Sequence, residues 1–349
     1  MVSAYADKLS GLFDRRFLLA YWAPVSVCAV LTVLIIGAFI DVNSVLDRWN
    51  TLGPLNQTLL GSLVLVLSFA SAYVLEALTS PIVRFYEGYN WPALLGRWAK
   101  ARYERDHRRL QSGSVSESKY VRAYFQLPMH IQHVQPTRLG NILRAAEEYS
   151  TEVYELDAVV WWPRLSVLLP DVFNAKVDAA ITPMYALLNM ASLLSLLAII
   201  GGTAIISEGS RVDLFLLTFL GGLYLARLCY NAAAGQATRY GNMLRIAFDL
   251  YRTELLKAMR IELPRNAASE ALLWRYLTDV VYRYDRASDF RWPPEPGSRE
   301  LSEFAYQAAG SPSTETADKQ LEISIFGVPV LTLKHKVVAS ASTTGQATS

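Results

Sequence analysis

The sequence predicts an all-α membrane protein with four transmembrane helices, a helical cytoplasmic bundle and a short β-like C-terminal segment. Three observations predict it. Four apolar stretches are each long enough to cross a bilayer, which takes about 20 residues of helix. Charged residues are only 18 % of the 349-residue chain, against roughly 25 % in ordinary soluble domains. Basic residues gather on the polar segments of one side, the asymmetry that orients membrane proteins. Apolar residues reach 52 % and the mean hydropathy is +0.20. That balance excludes a disordered chain, a nucleic-acid-binding tail and a disulfide-stapled secreted module.

Span one, residues 17–40 (FLLAYWAPVSVCAVLTVLIIGAFI), carries no charge. Its apolar run of 24 residues exceeds the roughly 7–15 of a signal peptide, and no A-x-A-like cleavage site follows, so it reads as an uncleaved helix. Span two, 59–78, carries Glu76 alone. Span three, 182–206, is uncharged, and span four, 214–234, carries only Arg227. Lys8, Arg15 and Arg16 precede span one, thirteen Lys/Arg lie between spans two and three, and Arg239 and Arg245 follow span four. Arg48 and Arg211 are the only basic residues on the two short hairpin tips. Both termini are therefore expected in the cytoplasm of a multi-pass protein of the bacterial inner membrane. Cys28 and Cys229 fall inside spans and read as small buried hydrophobes.

The chain divides into an N-terminal segment and hairpin (1–79), a cytoplasmic helical insertion (80–181) and a second hairpin (182–234). A cytoplasmic helical extension (235–309) and a tail (310–349) follow. Within the insertion, 92–111 reads as a helix with a highly charged second half, and 111–118 as a flexible connector. Residues 138–156 place Leu139, Ile142, Leu143, Ala146, Tyr149 and Val153 on one face, a packing helix. In the same helix Glu147, Glu148 and Glu152 read as the wet side. The apolar run 159–169 is too short to span. Its Trp161, Trp162 and Arg164 suit the headgroup region as interfacial anchors, so the run reads as interfacial or packed at the membrane face. Thr182-Pro183 is an N-cap and N1 pair, so span three is expected to start or kink there.

After span four the helical pattern runs on over 238–261, and Leu263-Pro264 stops it. A further helix is expected over 267–284 with Leu273, Trp274, Leu277, Val280 and Val281 inward. A Pro-rich break, a short helix to about residue 309 and a linker come next. Residues 321–338 form the β-like stretch, with a hairpin about Gly327-Val328-Pro329. The final eleven residues read as disordered.

The intramembrane charges are the strongest functional candidates, because a charge in lipid costs several kcal/mol unless paired or hydrated. Glu76 and Arg227 sit near the cytoplasmic ends of spans two and four and are expected as a charge pair or pore residues. Gly222 and Ala226 have the small-xxx-small spacing that lets helices approach closely. Asn189, Ser192 and Ser195 form a polar stripe on span three. His130 and His133 could face one metal, but no cysteine or nearby carboxylate completes a ligand set, so they read as loop histidines. No metal, cofactor or catalytic constellation is expected: G-x-S-x-G, Walker A, G-x-G-x-x-G and H-E-x-x-H are all missing.

The phrases FDRRFLLAYWAP (13–24), PIVRFYEGYNWP (81–92), PTRLGNILRAAEEYSTEVYELDAVVWWPRL (136–165) and YGNMLRIAFDLYRTELLKAMRIELP (240–264) together resemble an uncharacterised family of bacterial multi-pass membrane proteins. The resemblance covers most of 13–284 and implies topology and a bacterial origin, with no activity attached. The order of two spans, insertion, two spans and tail is similar to the bestrophin anion channels in topology only. Span two lacks their proline-aromatic neck pattern, so no pore residue carries over.

These readings point to a homo-oligomeric ion channel or pore, in which four spans per copy enclose a path only by assembling. The alternative is a membrane-anchored scaffold, sensor or effector acting through its cytoplasmic helical region. No enzyme is expected. The partners are the lipid bilayer, further copies of the chain and a cytoplasmic protein, and not nucleic acid.

Overall fold

The computed structural model describes residues 14–39, 42–89, 91–112, 123–207 and 211–283, together with the backbone of 321–325 and 328–333. In chain order the helices are α1 (Arg15–Gly37), α2 (Val42–Thr51), α3 (Pro54–Glu87), α4 (Ala93–Gln111) and α5 (Arg138–Tyr154). After them come α6 (Ala158–Leu168), α7 (Asp171–Ser207), α8 (Val212–Ala258) and α9 (Ala267–Arg283). By length and composition α1, α3, α7 and α8 can each cross a membrane. Their polar ends converge: Arg16 at the start of α1 pairs with Asp178 near the start of α7 at 3.2 Å. Tyr86 at the end of α3 stacks on Tyr230 of α8, centroids 5.6 Å apart.

The architecture is all-α, and this corrects the expected fold class: among the described residues no β-layer packs on the helices. The extended backbone described there is Leu321–Ile325 antiparallel to Val328–Leu333, a lone two-stranded ladder. Two strands by themselves are marginal in water and build no layer. Residues 326–327 and 334–338 lie outside the described residues, as do the connector at 113–118, the Pro-rich break and the helix expected to 309.

Three spans are longer than their apolar runs. Helix α7 starts eleven residues before Thr182 and takes Pro183 inside it, so no fresh start occurs there. Helix α8 takes in a π-turn at Leu217–Gly221 and continues to Ala258, well beyond its apolar part. These continuations are the frame of the bundle. On the far side, α2 carries exposed Val42, Val45, Leu46 and Trp49 at i, i+3, i+4, i+7 spacing, an apolar stripe suited to the bilayer surface.

Caps fix where the short helices begin. The Thr137 hydroxyl accepts the Gly140 N–H at 3.0 Å and donates to the Glu87 carbonyl at 2.9 Å, docking the start of α5 on the end of α3. A Cβ at position 140 would overlap that same carbonyl, so only glycine permits the approach. Gly88 ends α3 at φ 99°, the left-handed C-cap conformation. Asp157 caps α6 by accepting the Val159 N–H at 2.8 Å.

The largest core lies outside the spans, where α6, α8 and α9 meet beside α5. Trp161, Leu165, Phe248, Leu256 and Trp274 are almost fully buried there. Trp161 meets Trp274 edge to face at 5.2 Å, and its indole N–H donates to Thr278 Oγ1 at 2.8 Å. A second cluster of Leu139, Ile142, Met184, Leu188, Ala233 and Ala237 joins α5 to α7 and α8. Inside the spans the contacts turn on small residues. A Cβ on Gly222 would stand 2.8 Å from that of Ala198, so α7 and α8 touch backbone to backbone.

Candidate functional site

The intramembrane candidates part company. Glu76 and Arg227 are both exposed, and among the described residues no ion pair joins them. The Arg227 guanidinium lies 5.4 Å over the Tyr230 ring, one turn closer to the bundle. The polar stripe on α7 is turned inward. Asn189 is fully buried and donates to the Ala20 carbonyl at 3.0 Å and to Thr79 Oγ1 at 3.3 Å. Ser192 and Ser195 donate to carbonyls four residues back in their own helix, and Ser192 also meets Tyr86 at 3.5 Å. These groups bind α7 to α1 and α3.

Of the expected interfacial anchors, Trp161 needs correction, while Trp162 is half-buried and Arg164 exposed. Trp161 is 1 % exposed and sits in the bundle core instead of at a headgroup layer. Trp162 packs partly buried against Phe248, centroids 6.2 Å apart. Arg164 folds back over Trp161 at 5.4 Å and donates to the Val160 carbonyl at 2.6 Å. The cause is α9, which offers Trp274 as an apolar partner that lipid would otherwise supply.

Of the α5 glutamates expected on the wet side, Glu152 is exposed and Glu147 half-buried, and Glu148 needs correction. Glu148 is 5 % exposed and faces the loop that precedes its helix. Its Oε1 accepts from His130 Nδ1 at 2.9 Å and from His133 Nδ1 at 2.5 Å, while its Oε2 accepts the Met129 N–H at 2.8 Å. Glu152, one turn further along α5, places Oε1 at 3.4 Å from His130 Nδ1. Burial pushes the Glu148 carboxyl up, but the bonds from His133, His130 and Met129 outweigh it and hold the group below its ordinary value. A carboxylate oxygen only accepts, so each Nδ1 that meets it carries the proton.

Two outer contacts hold this loop on α5. His107 of α4, buried, reaches the Pro128 and Met129 carbonyls with Nε2 at 3.1 and 3.0 Å. With two acceptors against it, Nε2 must be the donor. Its buried Nδ1 has no hydrogen-bond partner, which suits the lone pair of a neutral ring better than a second N–H. Arg245 of α8, 6 % exposed, lies under Tyr124, Phe125 and Tyr149 at 5.8, 5.0 and 5.7 Å and donates to the Ala145 carbonyl at 3.1 Å. A guanidinium stacked among rings pins the start of the loop to both helices.

Chemically, His130, His133 and Glu148 bring two imidazole nitrogens and a carboxylate oxygen within 4.8 Å of one another. That donor set suits a borderline divalent ion such as zinc. The sequence hid it for a simple reason. The histidines and the carboxylate are 15 and 18 residues apart on different elements, and only the fold of the loop onto α5 unites them. The H-x-x-H spacing was the one visible signal. The sequence matches no family model, no curated protein and no solved structure.

Proposed function

We propose that this protein is a membrane-anchored sensor or scaffold that acts through its helical bundle, held on the cytoplasmic side by the basic residues around it. One observation carries this reading: α7 and α8 run without interruption from the spans into the bundle, where α8 supplies Leu244, Phe248 and Leu256 to the core. A helix is stiff along its axis, so a tilt or shift of either span moves the bundle with it. The polar groups of α7 favour the same reading, since Asn189 is used up in holding helices together.

A second reading, a homo-oligomeric ion channel, draws on one specific feature. Glu76 and Arg227 stand exposed on the outside of a single copy. Assembly could place either charge on a shared path, and the bestrophin-like order of spans is an analogy of topology that points the same way. Flux measurement on the full chain in liposomes under an imposed potential separates the two. The sensor reading expects no flux of anions or cations, and expects amide exchange in α5, α6, α8 and α9 to respond to a change of lipid thickness. Flux that Glu76→Gln or Arg227→Gln alters would overturn it in favour of the channel.

A further inference from the structure

We propose that His130, His133 and Glu148 form a binding site for one divalent transition-metal ion of the zinc type, with Glu152 at its open side. The inference goes beyond the reading of the bundle as a sensor and does not depend on it. It rests on convergence. Both Nδ1 atoms aim at a single oxygen, Glu148 Oε1, at 2.9 and 2.5 Å, while Oε2 is taken by the Met129 N–H. That oxygen has two acceptor sites, so the two N–H donors satisfy it in the metal-free protein. What favours an ion is that two imidazoles and a buried carboxylate bring their ligand atoms within 4.8 Å of one another, with the Glu152 carboxylate beside them.

The geometry is close to that of a loaded site. With metal–ligand bonds of about 2.1 Å, tetrahedral ligands lie roughly 3.4 Å apart. Each Nδ1–Oε1 separation needs to open by less than about an ångström to reach that spacing, and the three ligand atoms already lie within 4.8 Å of one another. The 3₁₀ turn Ile131–His133 sets both rings on one side, with centroids 5.7 Å apart. Glu152 Oε1, 3.4 Å from His130 Nδ1, is within reach as a fourth ligand or as the acceptor for a bound water.

The surroundings are built as outer support. The Met129 N–H fixes the Glu148 carboxylate, and His107 fixes the backbone of Pro128 and Met129 that leads into both histidines. Such second contacts orient metal ligands and raise affinity. The imidazole side chains are 43 % and 37 % exposed, so an ion can arrive from water, while Glu148 is 4 % exposed and gives it a desolvated charge. The set of two nitrogens and one oxygen disfavours magnesium and calcium, which take six or more oxygens.

Proton balance is simple. In the metal-free protein each Nδ1–H donates to Glu148. On binding, the ion takes the Nδ1 lone pair and the proton of a neutral ring moves to Nε2. The rings thus switch tautomer, and Glu148 exchanges two hydrogen bonds for a metal bond.

The test uses the full chain in detergent with any polyhistidine tag removed, stripped with EDTA and titrated with Zn²⁺ by calorimetry. One equivalent per chain is expected, with competition by Co²⁺ and none by Mg²⁺. His133→Gln and Glu148→Gln should abolish that uptake, and His107→Asn should weaken it by roughly 10-fold as an outer contact. Circular dichroism checks that each variant remains helical. Should the ligand variants fail to fold, Co²⁺ added to the wild-type chain decides instead. Intense visible bands of a four- or five-coordinate nitrogen–oxygen site support the proposal, and the weak spectrum of the hydrated ion overturns it. Absence of stoichiometric Zn²⁺ uptake, or uptake unchanged in His133→Gln, would overturn it equally.

Discussion

The bundle core and the outer half of α3 are both rich in large apolar side chains, yet the fold treats them in opposite ways. In the bundle, Trp161, Phe248, Leu256 and Trp274 are covered on every side by other residues of the chain. Between residues 54 and 71 of α3 no residue is buried, and Leu55, Leu59, Leu63, Val64, Leu65 and Val66 are all more than half exposed. Water enforces the first arrangement, since apolar surface left in it costs about 25 cal/mol per Å². Lipid permits the second, because hydrocarbon surface loses nothing there and only backbone and polar groups must be satisfied. A regular helix satisfies the backbone by itself. The difference teaches that hydropathy marks both regions alike, and that the solvent around each decides whether the chain must cover it.

The largest effect is therefore expected in the bundle. Trp274→Ala removes the side chain that meets Trp161 edge to face and that α9 contributes to the core. It should lower stability by about 3–5 kcal/mol, the range for deleting a buried aromatic. Unfolding of the purified protein followed by circular dichroism measures it, and Arg164 should become more mobile as its stacking partner shifts. A loss below about 1 kcal/mol would mean that the core is wet, and the contrast with α3 would fall.

A smaller effect is expected where the two solvents meet. Asn189→Ala strips the Ala20 carbonyl and the Thr79 hydroxyl of a shared partner. Hydrogen bonds between helices in membranes average about 0.6 and reach about 1.7 kcal/mol. A loss of about 1 kcal/mol is expected, and Thr79→Val should add little to it because both sit in one network. Additive losses would show that each residue serves a different neighbour.

How much of this was legible beforehand follows the same division. The spans were legible because hydropathy reads a helix in lipid directly: the uncharged run 17–40 became α1, Arg15–Gly37. Helix α5 was legible as a packing helix, and Leu139, Ile142, Leu143 and Ala146 of its expected face are buried, but its second buried face was not legible. A two-faced pattern assumes one wet side, whereas α5 lies between α8 and the loop 123–137, with Ala145, Ala146, Glu148 and Ser150 all buried. Glu148 was therefore placed in water on the strength of its neighbours Glu147 and Glu152. Trp161 was ambiguous for a physical reason, since a tryptophan suits a headgroup layer and a protein core equally, and only Trp274 of α9 decides between them. Glu76 and Arg227 had a depth but no direction. Depth follows from position in the run, whereas the direction of a side chain depends on neighbouring helices that the run does not name.

The smallest effect is expected on α3 itself, and it is the sharpest probe of the comparison. Leu63 and Val64 stand open on a single copy, being 52 % and 67 % exposed. Leu63→Ala and Val64→Ala should change stability in detergent by less than about 0.5 kcal/mol, as for surface positions without partners. The same variants should leave the bundle unfolding unchanged. A loss of 2 kcal/mol or more, the range of about 2–5 for truncating a buried leucine to alanine, would mean that something other than lipid covers this surface. If that loss also grew with protein concentration, the cover would be a second copy, because mass action makes only the assembled form concentration-dependent. Cysteine placed at Ser62, in a chain with Cys28→Ala and Cys229→Ala, gives the independent check. A disulfide across two copies would put the outer halves of α3 side by side and bring Glu76 of neighbouring copies close together. No crosslink, with the small energies above, would leave α3 to the bilayer and the functional contacts to the bundle.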